Sequence, residues 1–132
     1  MIDLTRAAAH YQRALNDLEE ATILLREERI AGTCNRAYYA LFDGILTVLY
    51  TTDGPVPKTH TGAHTEFRKQ FIRSGIFAGN CSNTITALFN LRQGGDYDID
   101  FDISLDDVQD ADEQATQFLE SVRVYRRQQG LY

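Results

Sequence analysis

Cysteine is scarce: Cys34 and Cys81 are the two in 132 residues. That is too few for a disulfide scaffold, so both are expected as reduced thiols. The two prolines, Pro55 and Pro57, fall in one short segment where they break any helix. No apolar run approaches the roughly 18 residues that a membrane span needs, so no membrane contact is expected. The opening MIDLTRAAAHYQ has no apolar leader core, and a cytoplasmic protein is expected. A Gly-rich phosphate loop, a zinc-type cysteine cluster and a Ser-His-Asp spacing cue are all missing, so no cofactor is implied. A basic surplus is missing too: 19 acidic side chains outnumber 13 basic ones, for a net charge of −6. The surface as a whole therefore does not advertise nucleic-acid binding.

The charge that is present is uneven. Residues 1–32 carry a net −2, residues 33–94 a net +3 and residues 95–132 a net −7. The middle third can present a basic cleft, where local charge matters more than the total; equally, it can pair with the acidic last third. At 43% apolar and 24% charged, the chain has the composition of a globular protein. Its length argues for one domain, residues 1–132.

The apolar spacing is helical throughout. Leu4, Ala8, Tyr11, Leu15, Leu18, Thr22 and Leu25 recur at intervals of three and four, with Asp3 placed as an N-cap and Gly32 beyond the end. A second helix is predicted from about Thr33, with Cys34, Tyr38, Leu41, Ile45 and Val48 inward. TTDGPVPKT, residues 51–59, reads as a loop. A third helix is predicted over residues 60–74, with Phe67 and Phe71 inward and Gly75 as its stop. A fourth fits residues 82–93, ended by Gly94 and Gly95. Ser104 and Asp107 form an S-x-x-D capping box that opens a last helix striped by Val108, Ala111, Ala115, Phe118, Val122 and Tyr125. The fold class is all-α, a bundle of about five helices with long, antiparallel first and last members.

The second helix carries the most chemistry. Arg36 and Asp43 are seven apart and share a face, with Tyr39 between them. Seven residues rise about 10.5 Å, which leaves room for a phosphate or a partner side chain. The plainer alternative pairs Arg36 with an acid of the last helix and leaves Asp43 solvated. Ala37, Tyr39, Ala40 and Tyr50 are expected to leave apolar surface beside this stripe, the kind that marks a homodimer contact.

NRAYYALFDGILTVL, residues 35–49, resembles the signature helix of HEPN domains, small helical proteins found beside minimal nucleotidyltransferases. KTHTGAHTEFRKQFIRSGIF, residues 58–77, resembles the K-[ST]-H-x-G … F-[IV]-[KR]-[ST]-G stretch of the small stand-alone prokaryotic branch. LRQGGDYD, residues 91–98, resembles its R-x-x-x-D-Y-D stretch. The resemblance covers about residues 3–127 in the family's order. It implies a HEPN-like bundle and a homodimer. It also implies RNA or a nucleotide as ligand, and a nucleotidyltransferase-type antitoxin as partner in a toxin–antitoxin or defence-type system. Active members are metal-independent endoribonucleases whose Arg holds phosphate and whose His moves a proton.

Arg36 matches the family Arg, but Asp43 stands where the family pattern puts His. A carboxylate with a pKa near about 3.9 is a weak base at neutral pH, and losing a tuned acid or base typically costs about 10²–10⁴-fold. A degenerate, binding or partner-binding member is therefore expected, with an endoribonuclease using Arg36 and Asp43 or His60 as the alternative. His60, at the start of the third helix, is the substitute proton-transfer group, and Arg36, Tyr39, Asp43 and His60 are expected to converge on one cleft. Asn35, Tyr39 and Lys58 are the expected binding residues. His60 and His64 have the i, i+4 spacing of a metal pair, but no third ligand is fixed by spacing, and no metal is expected. Asp96, Asp98, Asp100 and Asp102 lack the Gly and Glu of a calcium loop, because Phe101 and Asp107 hold those positions. Arg92 and the Asp96-Tyr97-Asp98 turn are expected to pin the crossing into the last helix, with Tyr97 and Phe101 as core anchors.

Overall fold

A computed structural model describes residues 1–97 and 102–132, without the side chains of residues 96 and 97. The expectations placed on the side chains of Asp96 and Tyr97, and on Asp98, Asp100 and Phe101, lie outside the described residues. Among the described residues the elements are α1 (Leu4–Arg26), α2 (Ile30–Leu49), α3 (His60–Phe67), α4 (Asn80–Tyr97) and α5 (Leu105–Gln128), with a π-helical turn, Arg68–Ile72, continuing α3. None of these helices is long and apolar enough to cross a membrane.

α2 is the central helix, and α1, α4 and α5 pack around it. Its predicted stripe is buried in full: Cys34, Tyr38, Leu41, Ile45 and Val48. Thr33 and Thr47 are buried with it, and each hydroxyl donates to the carbonyl one turn back, at 2.7 Å. α1 runs antiparallel to α2, since Asp17 meets Arg36 and His10 meets Asp43. It also runs antiparallel to α5: Thr22 bonds Asp112, and Tyr11 lies under Arg126. Leu41, Phe67, Phe71, Phe77, Phe118 and Tyr125 belong to one buried core cluster.

Local chemistry explains most boundaries. Asp3 accepts the Arg6 N–H at 2.9 Å and starts α1. Ser104 and Asp107 close a reciprocal capping box at α5. Thr59 caps α3 by accepting the Gly62 N–H at 3.1 Å. A Cβ at Gly62 would lie 2.5 Å from the Thr59 hydroxyl and 2.9 Å from Pro57, so this cap needs glycine. Gly75 turns the chain after the π-helical turn with φ 83°.

Four expectations are corrected. The inward stripe of α1 is Ala7, Ala14, Asp17 and Ala21, while Leu4 and Leu15 are exposed. Small residues let α1 lie close against α2, so alanines face in and Leu4 and Leu15 turn out, while Tyr11, Leu18 and Leu25 of the expected stripe stay half-buried against the core. Gly32 lies beyond the end of α1, but α2 starts at Ile30 rather than near Thr33 and so includes it; the reversal uses Glu28, at φ 57°. Gly94 and Gly95 do not stop α4, which runs on to Tyr97. Gly94 is buried, and the position of a Gly95 Cβ lies 3.7 Å from Ala31 and Cys34, so this pair serves close packing on α2. Finally, Ala37 and Ala40 are fully buried within the single chain and offer no contact surface.

Candidate functional site

A groove of about 260 Å³ runs between α1 and α2, lined by Arg13, Asp17, Arg36, Tyr39, Phe42, Asp43 and Leu46. Two pairs cross it. Arg36 Nη1 donates to Asp17 Oδ1 at 3.1 Å and lies 3.7 Å from Glu20 Oε2. Arg36 Nε and Nη2 both donate to Asn35 Oδ1, at 2.9 and 2.7 Å. Asp43 Oδ1 lies 2.9 Å from His10 Nδ1 and 3.9 Å from Arg13 Nη1. The pairs form because Arg36 and Asp43 are seven apart on α2, as His10 and Asp17 are on α1, with the charge order reversed across antiparallel helices. The acid facing Arg36 thus comes from the first helix rather than the last, and Asp43 is 3% exposed rather than solvated.

Asp17 is the anomalous carboxyl. It is buried, and among the described residues its Oδ2 has no hydrogen-bond partner. Burial pushes its pKa up to about 7, and the neighbouring Asp43 carboxyl adds to the rise against the pull of Arg36. That rise favours a protonated Asp17, whose O–H can then be shared with the neighbouring Asp43 carboxyl.

Tyr39 sits between two guanidinium groups: Arg36 Cζ is 5.2 Å from its ring centroid and Arg92 Cζ is 5.5 Å. Its hydroxyl accepts from Arg92 Nη2 at 3.2 Å. Beyond it lies a second cluster. His60 stacks on Phe42 at 4.3 Å and meets the Tyr39 ring edge-on at 5.8 Å, but it does not line the groove. His60 Nδ1 and His64 Nε2 instead approach the Tyr38 hydroxyl at 3.0 and 2.8 Å, which donates to one and accepts from the other. Burial holds the His64 pKa down to about 4, helped by Arg68 and His60. Burial and then Arg92 also lower that of His60. Both rings are therefore neutral at neutral pH, and a metal on both nitrogens would have to displace Tyr38. Lys58 is exposed in the loop before α3 and is not part of the groove wall.

The structure thus brings Arg36, Tyr39 and Asp43 to one groove, holds Asn35 against the Arg36 fork, and sets His60 behind Tyr39. Sequence reasoning missed His10, Asp17 and the contact of Arg92 with Tyr39. The signal for the first two was present as the matching seven-residue interval on α1.

The HEPN domain profile matches residues 7–125. This chain belongs to the HEPN domain family. A UPF0332 protein of Thermotoga maritima is 29% identical over 111 residues, covering 84% of this chain and 83% of that protein. A protein of Methanocaldococcus jannaschii, whose name marks it as a candidate toxin, is 28% identical over 98 residues. That match covers 74% of this chain and 66% of the archaeal protein's length. The HEPN signature helix is α2, and its Arg36 and Asp43 are the groups paired with α1.

Proposed function

We propose that this HEPN protein is a dimeric toxin-class module. It takes an RNA or nucleotide phosphate in the α1–α2 groove, works with a nucleotidyltransferase-type antitoxin partner, and cleaves RNA feebly. The observation that carries this reading is the state of Arg36. Its fork is held by Asp17 at 3.1 Å and by Asn35 at 2.9 and 2.7 Å, so a phosphate must compete with groups of the same chain. Arg13, 67% exposed at its side chain, supplies a second cation on the groove wall. The name of the archaeal relative supports the toxin class. The half-buried Tyr39, Phe42 and Leu46 supply apolar groove surface for a second copy.

Fluorescence anisotropy with a labelled single-stranded RNA tests the binding claim. Arg36→Ala and Arg13→Ala should each weaken binding and lower the salt slope by about 0.7, the value for one phosphate contact on a single strand. Sedimentation at micromolar concentration should show a dimer. Wild type that binds neither RNA nor nucleotide overturns the reading. Vigorous, chelator-resistant cleavage lost in Arg36→Ala replaces it with the second one, a metal-independent endoribonuclease. That second reading is favoured by one observation: an imidazole, that of His10, already sits on Asp43.

A further inference from the structure

We propose that His10 and Asp43 form a proton-transfer pair for RNA cleavage and that Asp17 and Glu20 restrain it by occupying Arg36. The inference rests on the RNA reading above and assigns roles to three residues of this chain that the family motif does not include.

The geometry supports each part. Asp43 is buried, and its Oδ1 takes the Nδ1–H of His10 at 2.9 Å. A buried carboxylate on one imidazole nitrogen fixes the tautomer and leaves the other as the base. Among the described residues Nε2 of His10 has no hydrogen-bond partner, and the side chain is 19% exposed. The ring is held in place by stacking on Tyr50 at 5.5 Å with an interplanar angle of 7°. The position where the sequence lacks a histidine is thus served by one from the neighbouring helix. His10 and the Asp17 that grips Arg36 are seven residues apart on α1, about 10.5 Å of rise. His10 adjoins the groove at Asp43 rather than lining it, and Arg13 of the groove wall lies one turn from it along α1, so a phosphodiester held at the Arg36 fork would reach the His10 ring past Arg13.

The chemistry balances without a metal or a co-reactant. Nε2 of His10 takes the ribose 2′-hydroxyl proton, and the 2′-oxygen bonds to phosphorus as the P–O5′ bond breaks. The leaving 5′-oxygen takes a proton from water, and the imidazolium neutralises the hydroxide left behind. The products are a 2′,3′-cyclic phosphate and a 5′-hydroxyl, and His10 is returned neutral. Arg36 would neutralise the pentavalent phosphorane, and this is the contribution that Asp17 and Glu20 withhold.

The test compares wild type, Asp17→Asn and Glu20→Gln on one end-labelled RNA in excess chelator, with anisotropy on the same RNA. Asp17→Asn keeps the shape of the side chain and weakens its hold on Arg36. Glu20→Gln, at a side chain 58% exposed, weakens that hold without touching the core. Asp17→Asn should raise cleavage at least about tenfold and Glu20→Gln by about two- to fivefold, as loss of an exposed pair allows, both with cyclic-phosphate ends. Adding His10→Gln to either should remove about 10²-fold or more of the gained rate. Adding Asp43→Asn should lower kcat without weakening RNA binding, since it removes a negative charge from the groove wall, which separates positioning of His10 from loss of the groove. Variants that bind RNA yet cleave no faster than wild type overturn the inference and leave the binding reading intact. Gained cleavage that survives His10→Gln also overturns it. Failure of every form to bind RNA or nucleotide removes the reading on which it rests.

Discussion

Gly44 follows Asp43 and lets α5 reach α2. A Cβ there would lie 2.8 Å from Leu119 Cδ2 and 3.0 Å from Phe118 Cε2, both buried side chains with little room to retreat. Gly44→Ala should therefore destabilise the fold by about 1–3 kcal/mol, the usual range for overpacking, even though alanine favours helix. Urea unfolding with an unchanged m-value checks this; a stabilised variant would mean that α5 yields freely. The same scale shows what the sequence carried of the site. Arg36, Tyr39 and Asp43 were legible because they share one helix face, and spacing alone puts them together. His10 and Asp17 were not, because a reading by apolar stripe treats polar residues of α1 as solvated. Their pairing depends on which α1 face meets α2. His60 was misplaced for a related reason: a helix start suggested an anion, whereas burial turned its ring to the Tyr38 hydroxyl.

α1 shows how an element can be correct in extent and wrong in rotation. Its cap at Asp3 and its length were readable, yet leucine-led periodicity selected a face about one residue away from the buried one. Ala7, Ala14 and Ala21 recur every seven residues and are fully buried, so close approach rather than side-chain bulk decides the interface. Ala14→Leu should cost about 1–3 kcal/mol by overpacking. Leu15→Gln, at a position 38% exposed, should stay within about 0.5 kcal/mol. Thermal unfolding of the two variants side by side measures the rotation of α1 directly; the reverse order would restore the leucine face. α5 is the contrasting case. Its stripe was read without error because it is built of larger residues around a clear capping box. Ser104→Ala should cost about 1 kcal/mol, as N-cap deletions do. Asp107→Ala should cost less than that, since the Ser104 cap to the Asp107 N–H at 3.1 Å survives.

Across the whole molecule, two buried groups set opposing pH dependences. His64 is packed neutral, with its pKa lowered from 6.5 to about 4 by burial, Arg68 and His60. Between those values the unfolded chain binds a proton that the folded chain refuses, so His64 makes stability fall as pH drops from about 6.5 to 4. Asp17 acts the other way. Its pKa rises from 3.8 to about 7, so in that window the folded chain holds a proton that the unfolded chain has released. Its contribution is present at low pH and is lost as pH rises towards 7. The two nearly oppose each other between about pH 4 and 6.5, and above that, of these two, Asp17 alone still titrates. Replacing either group should therefore tilt the profile in its own direction. His64→Gln, which keeps a polar partner for Tyr38, should become relatively more stable towards acid by losing the His64 contribution to the fall below pH 6.5. Asp17→Asn should gain on wild type steadily from pH 4 to 7, because its amide needs no proton to be buried beside Asp43. Unfolding midpoints in urea at half-unit steps of pH give both curves. If the difference between Asp17→Asn and wild type stays flat across that range, Asp17 is ionised throughout. Its grip on Arg36 is then a plain buried ion pair, and the proton shared with Asp43 does not exist.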